Sequence, residues 1–187
     1  MKSKRGYVFL ICIAWPFFNA YSESLSLQVD YENSSIRIIG KALGFVPAGF
    51  AFKTFRAEVS LEKDSLQMTK AVFILPYKEL SSGSEMKDRR IHAWLDVENH
   101  PNGQFELTEH LLEKARSVAK GRLLLHGQTE IAQFEYESTK KDEDTVALNA
   151  VAKIDYRNWG LPIFRVFIFG VNPTLEIRLH LEGKLAR

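Results

Sequence analysis

The stretch "TLEIRLHLEGKL" at 174–185 alternates almost without interruption. Leu175, Ile177, Leu179 and Leu181 fall in one phase, and Glu176, Arg178, His180 and Glu182 in the other. Successive side chains of a strand point to opposite sides, so this spacing demands an extended segment with one apolar and one wet face. "TVALNAVAKIDY" repeats the pattern through Val146, Leu148, Ala150, Ala152, Ile154 and Tyr156, and "FRAEVSLE" through Phe55, Ala57, Val59 and Leu61. "GRLLLHG", "QFEYES" and "GQFELTEH" read as further strands. "MTKAVFILPY" is apolar in both phases and is expected to be covered on both sides. Turn-forming runs ("ENSS", "SSGS", "HPNG", "KKDED", "GVNP") separate these segments. No internal repeat and no interdomain linker interrupts the series.

Many short antiparallel strands make a sandwich or a closed barrel. Closure removes exposed edges, and about eight strands leave a lumen that side chains fill or that holds one small ligand. Alternation does not say which face is inside. With charges inward and leucines outward it describes an outer-membrane barrel, at the cost of crowding many charges into a narrow lumen.

The first 22 residues stand apart. Lys2, Lys4 and Arg5 precede an apolar run from Tyr7 to Ala14, and Ala20-Tyr21-Ser22 offers small residues for cleavage. This is the pattern of a secretory signal peptide, too short and too interrupted by Pro16 and Asn19 for a spanning helix. A mature domain from 23 to 187 is expected. The only cysteine, Cys12, lies in the leader, so disulfides, thiol catalysis and cysteine-bound metals drop out. The leader takes three of 25 basic residues and none of 23 acidic ones, leaving a mature formal charge of −1. That leaves no bulk electrostatic case for nucleic acid.

"MKDRRIHAWLDVENHP" at 86–101 packs six formal charges and two histidines into sixteen residues. On a helix, Ile91, Trp94 and Leu95 share one face. Glu85 and Arg89, and Asp88 and His92, pair at i, i+4. Ser82-Gly83-Ser84-Glu85 offers a capping box ahead of it. Asp96, Glu98 and His100 could be drawn as metal ligands, but their spacing matches no tight motif, and a solvated face is the plainer reading. "LTEHLLEKARSVA" could add a helical turn or two.

These residues also carry a resemblance. "MKDRRIHAWLDVENHPNGQFEL" resembles the Arg-Asp-x-His-Leu and Leu-x-Val-x-x-Tyr-Pro segments of the YceI-like family, through Lys87-Asp88, Leu95-Asp96-Val97-Glu98 and Pro101. "GRLLLHGQTEIAQFEYE" is similar to its Gly-x-Leu-Thr-Ile-x-Gly-x-Thr strand pair through Gly121, Leu123, Leu125, Gly127 and Thr129. "IDYRNWGL" keeps Ile154, Gly160 and Leu161, and Gly49, Phe50, Phe55 and Val59 resemble its opening. The resemblance runs in order over nearly the whole mature chain. Arg90, His100, Tyr156 and Asn158 depart from the pattern.

What the resemblance implies is an all-β, eight-stranded, antiparallel, lipocalin-like barrel with one or two short helices. The implied protein is secreted to the periplasm, is not an enzyme, needs no cofactor, and holds a polyisoprenoid such as a quinone tail in its lumen for transport or storage. The residues agree with that. A long isoprenoid is held by burial of its hydrocarbon, which 13 phenylalanines and leucine-rich faces can supply. The expected walls are Phe50, Phe52, Phe55, Phe73, Leu75, Phe105, Leu107, Leu123, Leu125, Phe134 and Tyr136, with Leu148, Ala150, Ala152, Ile154, Leu175, Ile177 and Leu179. Small Ala150 and Ala152 suit a space that a ligand fills, or the taper of a packed barrel. "WGLPIFRVFIFGV" is apolar in both phases: a covered strand, a lid, or a transient membrane contact through Phe164, Phe167 and Phe169. The alternative function is a periplasmic or surface interaction protein with a packed barrel and no lipid, in either case a monomer or homodimer.

No Gly-x-Ser-x-Gly, phosphate loop or His-Glu-x-x-His occurs. The five histidines (His92, His100, His110, His126, His180) are scattered, with His126 and His180 in the polar phase of their strands. No acid, base and nucleophile converge in the sequence.

Overall fold

The computed structural model describes residues 23–42, 46–113, 116–166 and 169–186. The leader expected at 1–22, Cys12 and Phe167 lie outside the described residues.

In chain order the elements are β1 (Ser24–Val29), β2 (Ser35–Ala42), β3 (Val46–Phe52), β4 (Arg56–Glu62), β5 (Met68–Pro76), β6 (Leu80–Ser81), α1 (Glu85–Trp94), β7 (Asn102–Glu113), β8 (Arg116–Leu125), β9 (Gln128–Lys140), β10 (Thr145–Asp155), β11 (Arg165–Val166), β12 (Phe169–Gly170) and β13 (Thr174–Ala186). Antiparallel pairing runs β1-β4-β5-β7-β8-β9-β10-β13, and β13 pairs back onto β1. The result is a closed barrel of eight strands. β13 is long enough to serve two partners. Gly183–Ala186 pair with β1, while Glu176–His180 pair with β2. From β2 the sheet continues through β3 to β6, against which α1 packs.

The alternation resolves with apolar residues inside. On β10, Val146, Leu148, Ala150, Ala152 and Ile154 are buried. Oppositely charged side chains meet across strands on the outer face: Arg122 with Glu106 at 2.8 Å, Arg116 with Glu135 at 2.7 Å, and Lys70 with Glu58 at 2.9 Å. No charged or polar residue is buried among the described residues. This is the reverse of the outer-membrane arrangement, whose outward face must be an apolar band. Exposed pairs of this kind add little stability, but they mark the wet face.

Three local expectations are corrected. Of the 107–119 stretch, the described residues 107–113 and 116–119 are strand, not helix. They belong to the β7–β8 hairpin, because pairing across to Arg116–Gly121 satisfies the backbone better than an isolated turn of helix. A register shift between Leu107 and Glu109 in that hairpin turns His110 toward the ring of Tyr136, at 5.8 Å. β5 is not covered on both sides, since Val72 and Ile74 face outward, half-buried. Nor does the capping box form: Ser84 is the N-cap without a side-chain bond. Asp88 instead accepts from the Ser82 amide at 2.6 Å and from the hydroxyls of Ser81 and Ser82 at 2.6 and 2.7 Å. Burial pulls this carboxyl up, but those hydrogen bonds outweigh it, so Asp88 titrates below the usual carboxylate range. His92 bonds the Leu80 carbonyl at 2.8 Å and still acts on Asp88 through its charge, and Glu85 and Arg89 pair at 3.4 Å.

Candidate functional site

Inside the barrel, the inward phases of β5, β7, β8, β9, β10 and β13 do not fill all the space. Two apolar cavities remain. The upper, about 70 Å³, lies under α1 between β2, β3 and the 156–171 segment. The lower, about 50 Å³, lies deeper, among Phe73, Phe105, Phe134, Ala150 and Leu179. Leu75, Leu123 and Ile177 border both, so the two are neighbouring spaces divided by a waist of three aliphatic side chains.

Most of the expected wall residues meet here. Phe50, Phe52, Leu125, Ile154 and Leu175 line the upper cavity, and Phe73, Phe105, Phe134, Ala150 and Leu179 the lower. Phe55, Leu107, Tyr136, Leu148 and Ala152 belong to the same interior but line neither. Tyr136 is occupied by the Met68 amide at 2.9 Å, and Phe55 stacks edge-on against Tyr31 at 5.4 Å. Ala152 faces a cleft it shares with Trp159.

The upper end is closed by an aromatic cluster. Trp94 meets Tyr156 edge-on at 5.0 Å and Phe164 at 5.2 Å, and Phe164 meets Phe50 at 6.4 Å. Edge-to-face pairs of this sort fix ring orientation beyond what area burial gives. The Trp94 indole nitrogen donates to the Pro162 carbonyl at 2.8 Å. The Tyr156 hydroxyl donates to the Val171 carbonyl at 3.1 Å and accepts from the Phe164 amide at 3.2 Å. Ile91 and Leu95 dock beneath as the helical spacing predicts. Phe164 therefore cannot touch a membrane: it is buried, because the Tyr156 bond turns its backbone inward. Ile163 and Phe169, on either side of it, are exposed.

One polar atom in the lumen has no partner. The Tyr77 hydroxyl lies beside the upper cavity, buried and unbonded. It is directed toward the His126 amide without reaching hydrogen-bond geometry, and burial pushes the phenol well above its ordinary range. Gly103 makes room for it: a Cβ there would fall 2.7 Å from the hydroxyl oxygen. Tyr77 is a site residue the sequence reading missed, although it continues the inward phase of Phe73 and Leu75. Ile38, Tyr156 and Val171 were missed as well, since their place in the wall depends on how the chain closes over the barrel end.

His92 bonds a carbonyl and His180 bonds Asn149, and among the described residues none of the five histidines is hydrogen-bonded to a serine, threonine or cysteine.

The model of the YceI-like domain matches residues 27–183. No curated protein matches the sequence. Among solved structures, Burkholderia cenocepacia BcnA superposes with a TM-score of 0.73 at 19% identity, over 83% of this chain and 99% of that one. A polyisoprenoid binding domain from Saccharophagus degradans, implicated in plant cell wall breakdown, superposes with a TM-score of 0.64 at 10% identity, over 86% and 98%. The Campylobacter jejuni YCEI protein gives 0.63 at 12% identity, over 72% and 83%.

Proposed function

The chain belongs to the YceI-like domain family, and on that premise we propose that it is a secreted, periplasmic protein that carries a polyisoprenoid or similar long apolar lipid in its barrel. The observation that carries this reading is the interior itself: two adjoining cavities lined by hydrocarbon, with an unpaired hydroxyl at Tyr77. An apolar chain gains free energy there in proportion to the area it buries. Tyr77 is left to donate to the polar end of the ligand, a hydroxyl or a quinone carbonyl. The solved polyisoprenoid binding domain of similar fold supports the same ligand class.

The cavities are small. A dry apolar cavity of about 150 Å³ takes one benzene, and these are about 70 and 50 Å³. A long chain enters by turning Leu75, Leu123 and Ile177 aside at the waist, which joins the two spaces. The exposed Ile163 and Phe169 beside the β11–β12 hairpin are the surface for loading from a membrane. The same small volumes favour the second reading, a packed barrel that acts only as an interaction scaffold.

Organic extraction and mass spectrometry of protein purified from its native host without detergent separates the two. A stoichiometric polyprenyl compound, absent from a folded Ala48→Phe variant that narrows the upper cavity, establishes lipid carriage. Protein that is empty and takes up no added quinone establishes the scaffold.

A further inference from the structure

Asp96, His100 and His126 converge outside the lumen, with one ligand atom from each lying within 4.8 Å of the others. We propose that these three side chains form a binding site for a divalent transition-metal ion, one that ties α1 to the β8–β9 hairpin across the upper end of the barrel.

The backbone presents all three. Asp96 follows the last turn of α1 in a left-handed conformation (φ 50°), which Asp tolerates better than most residues. Its carbonyl accepts from the amides of Asn99 at 3.1 Å and His100 at 2.8 Å, which folds His100 back over Asp96. His126 and Gly127 are the two central residues of the β8–β9 hairpin, both with positive φ (50° and 73°). Such a turn prefers Asn-Gly. A histidine there accepts a backbone cost and aims an imidazole at His100, with ring centroids 4.8 Å apart. Gly127 leaves the space: a Cβ would lie 2.6 Å from His100 Cε1.

The three groups are half-buried and otherwise little used. Among the described residues neither imidazole has a protein hydrogen-bond partner. The Asp96 carboxylate is held by the Asn99 side-chain amide, at 3.0 Å to one oxygen and 2.9 Å to the other. This is the outer-shell support that orients a ligating carboxylate. Two imidazoles and one carboxylate suit zinc, cobalt, nickel or copper, and three protein ligands leave a position open to water. Bond lengths near 2.0–2.1 Å need the ligand atoms to close by up to roughly 1.5 Å, within reach of χ rotation in half-exposed side chains. Leu95 on one side of the site and Leu125 on the other line the upper cavity, so the ion clamps that wall.

Cobalt(II) is the probe, added to the full-length chain purified without a polyhistidine tag. The expected result is a saturable visible absorption band at one cobalt per chain, displaced by zinc, with a raised melting temperature. His100→Phe, which keeps a ring against His126, and His126→Asn, which suits the left-handed turn, each weaken binding by more than about tenfold. His180→Ala, remote on β13, leaves binding unchanged. Should either site variant fail to fold, Asp96→Asn replaces it and must weaken binding in the same way. No saturable band, or a band that the site variants retain, overturns the proposal.

Discussion

The indole nitrogen of Trp159 donates to the carbonyl oxygen of Leu123 at 2.8 Å, deep inside the wall of the barrel. β9 and β10 pair only from Glu135 to Lys140 against Val146 to Val151. Below that they part, and a cleft opens between Ile131 and Ala132 on one strand and Ala152 and Ile154 on the other. The 3-10 turn Tyr156–Trp159 places the indole at this parting. Trp159 thus covers the parting of β9 and β10 with its ring and is anchored by its indole nitrogen to β8, the strand beyond β9.

Trp159→Phe keeps most of the cover but removes the hydrogen bond to the Leu123 carbonyl, a loss of about 0.5–1.5 kcal/mol. Trp159→Ala opens a cavity as well and costs about 3–5 kcal/mol. Urea denaturation of both variants gives the two values. An unchanged stability in Trp159→Phe would mean that the hydrogen bond contributes nothing.

Tyr77→Phe removes a buried hydroxyl that has no partner. Its stability in the absence of ligand equals or exceeds that of the parent by up to about 1 kcal/mol, while retention of a quinone falls. A folded-state phenol raised above its unfolded value, near 10, contributes stability that is whole below that pH and is lost as pH rises. The variant therefore keeps more of its melting temperature between pH 10 and about 11.5 than the parent does. A parallel decline in both proteins would show that Tyr77 is already solvated.

Asp88 works in the opposite direction. Its lowered carboxyl gives stability that is present above the ordinary aspartate value, near 3.9, and is lost as pH falls below it. Asp88→Asn flattens the stability profile on that acid side and costs about 1–2 kcal/mol at pH 7, the range of a lost helix-end cap. Thermal melts from pH 3 to 7 test it. An unchanged acid slope would assign acid unfolding to other carboxylates.

Ala150→Leu fills the lower cavity from β10. The extra methylenes enter existing space, so stability stays within about 1.5 kcal/mol of the parent. Lipid uptake is lost if the chain reaches that depth. A variant that takes up lipid normally would confine the ligand to the space under α1.

The sequence alone determined most of the strands, the division of each into an apolar and a wet face, and the closing helix. Period-2 patterns such as Leu175, Ile177, Leu179 and Leu181 are local, and only a strand sorts them onto one side. Ile91, Trp94 and Leu95 are equally local at helical spacing. The ordered run from Lys87 to Pro101, with the Gly121–Thr129 strand pair, was enough to suggest the family. Local pattern failed where hairpin pairing competed with it, at 107–119, and where Asp88 displaced the capping box.

Tertiary structure alone decided the rest. Whether a lumen is open depends on how Leu75, Leu123 and Ile177, from three strands, turn toward one another. That Phe164 is buried while Phe169 is exposed depends on a bond from Tyr156, eight residues upstream of Phe164. That His126 meets His100 and Asp96 depends on the approach of a hairpin turn to the end of a helix. The physical reason is the same in each case. Periodicity records which way a side chain points from its own backbone, and only closure of the barrel decides what it meets.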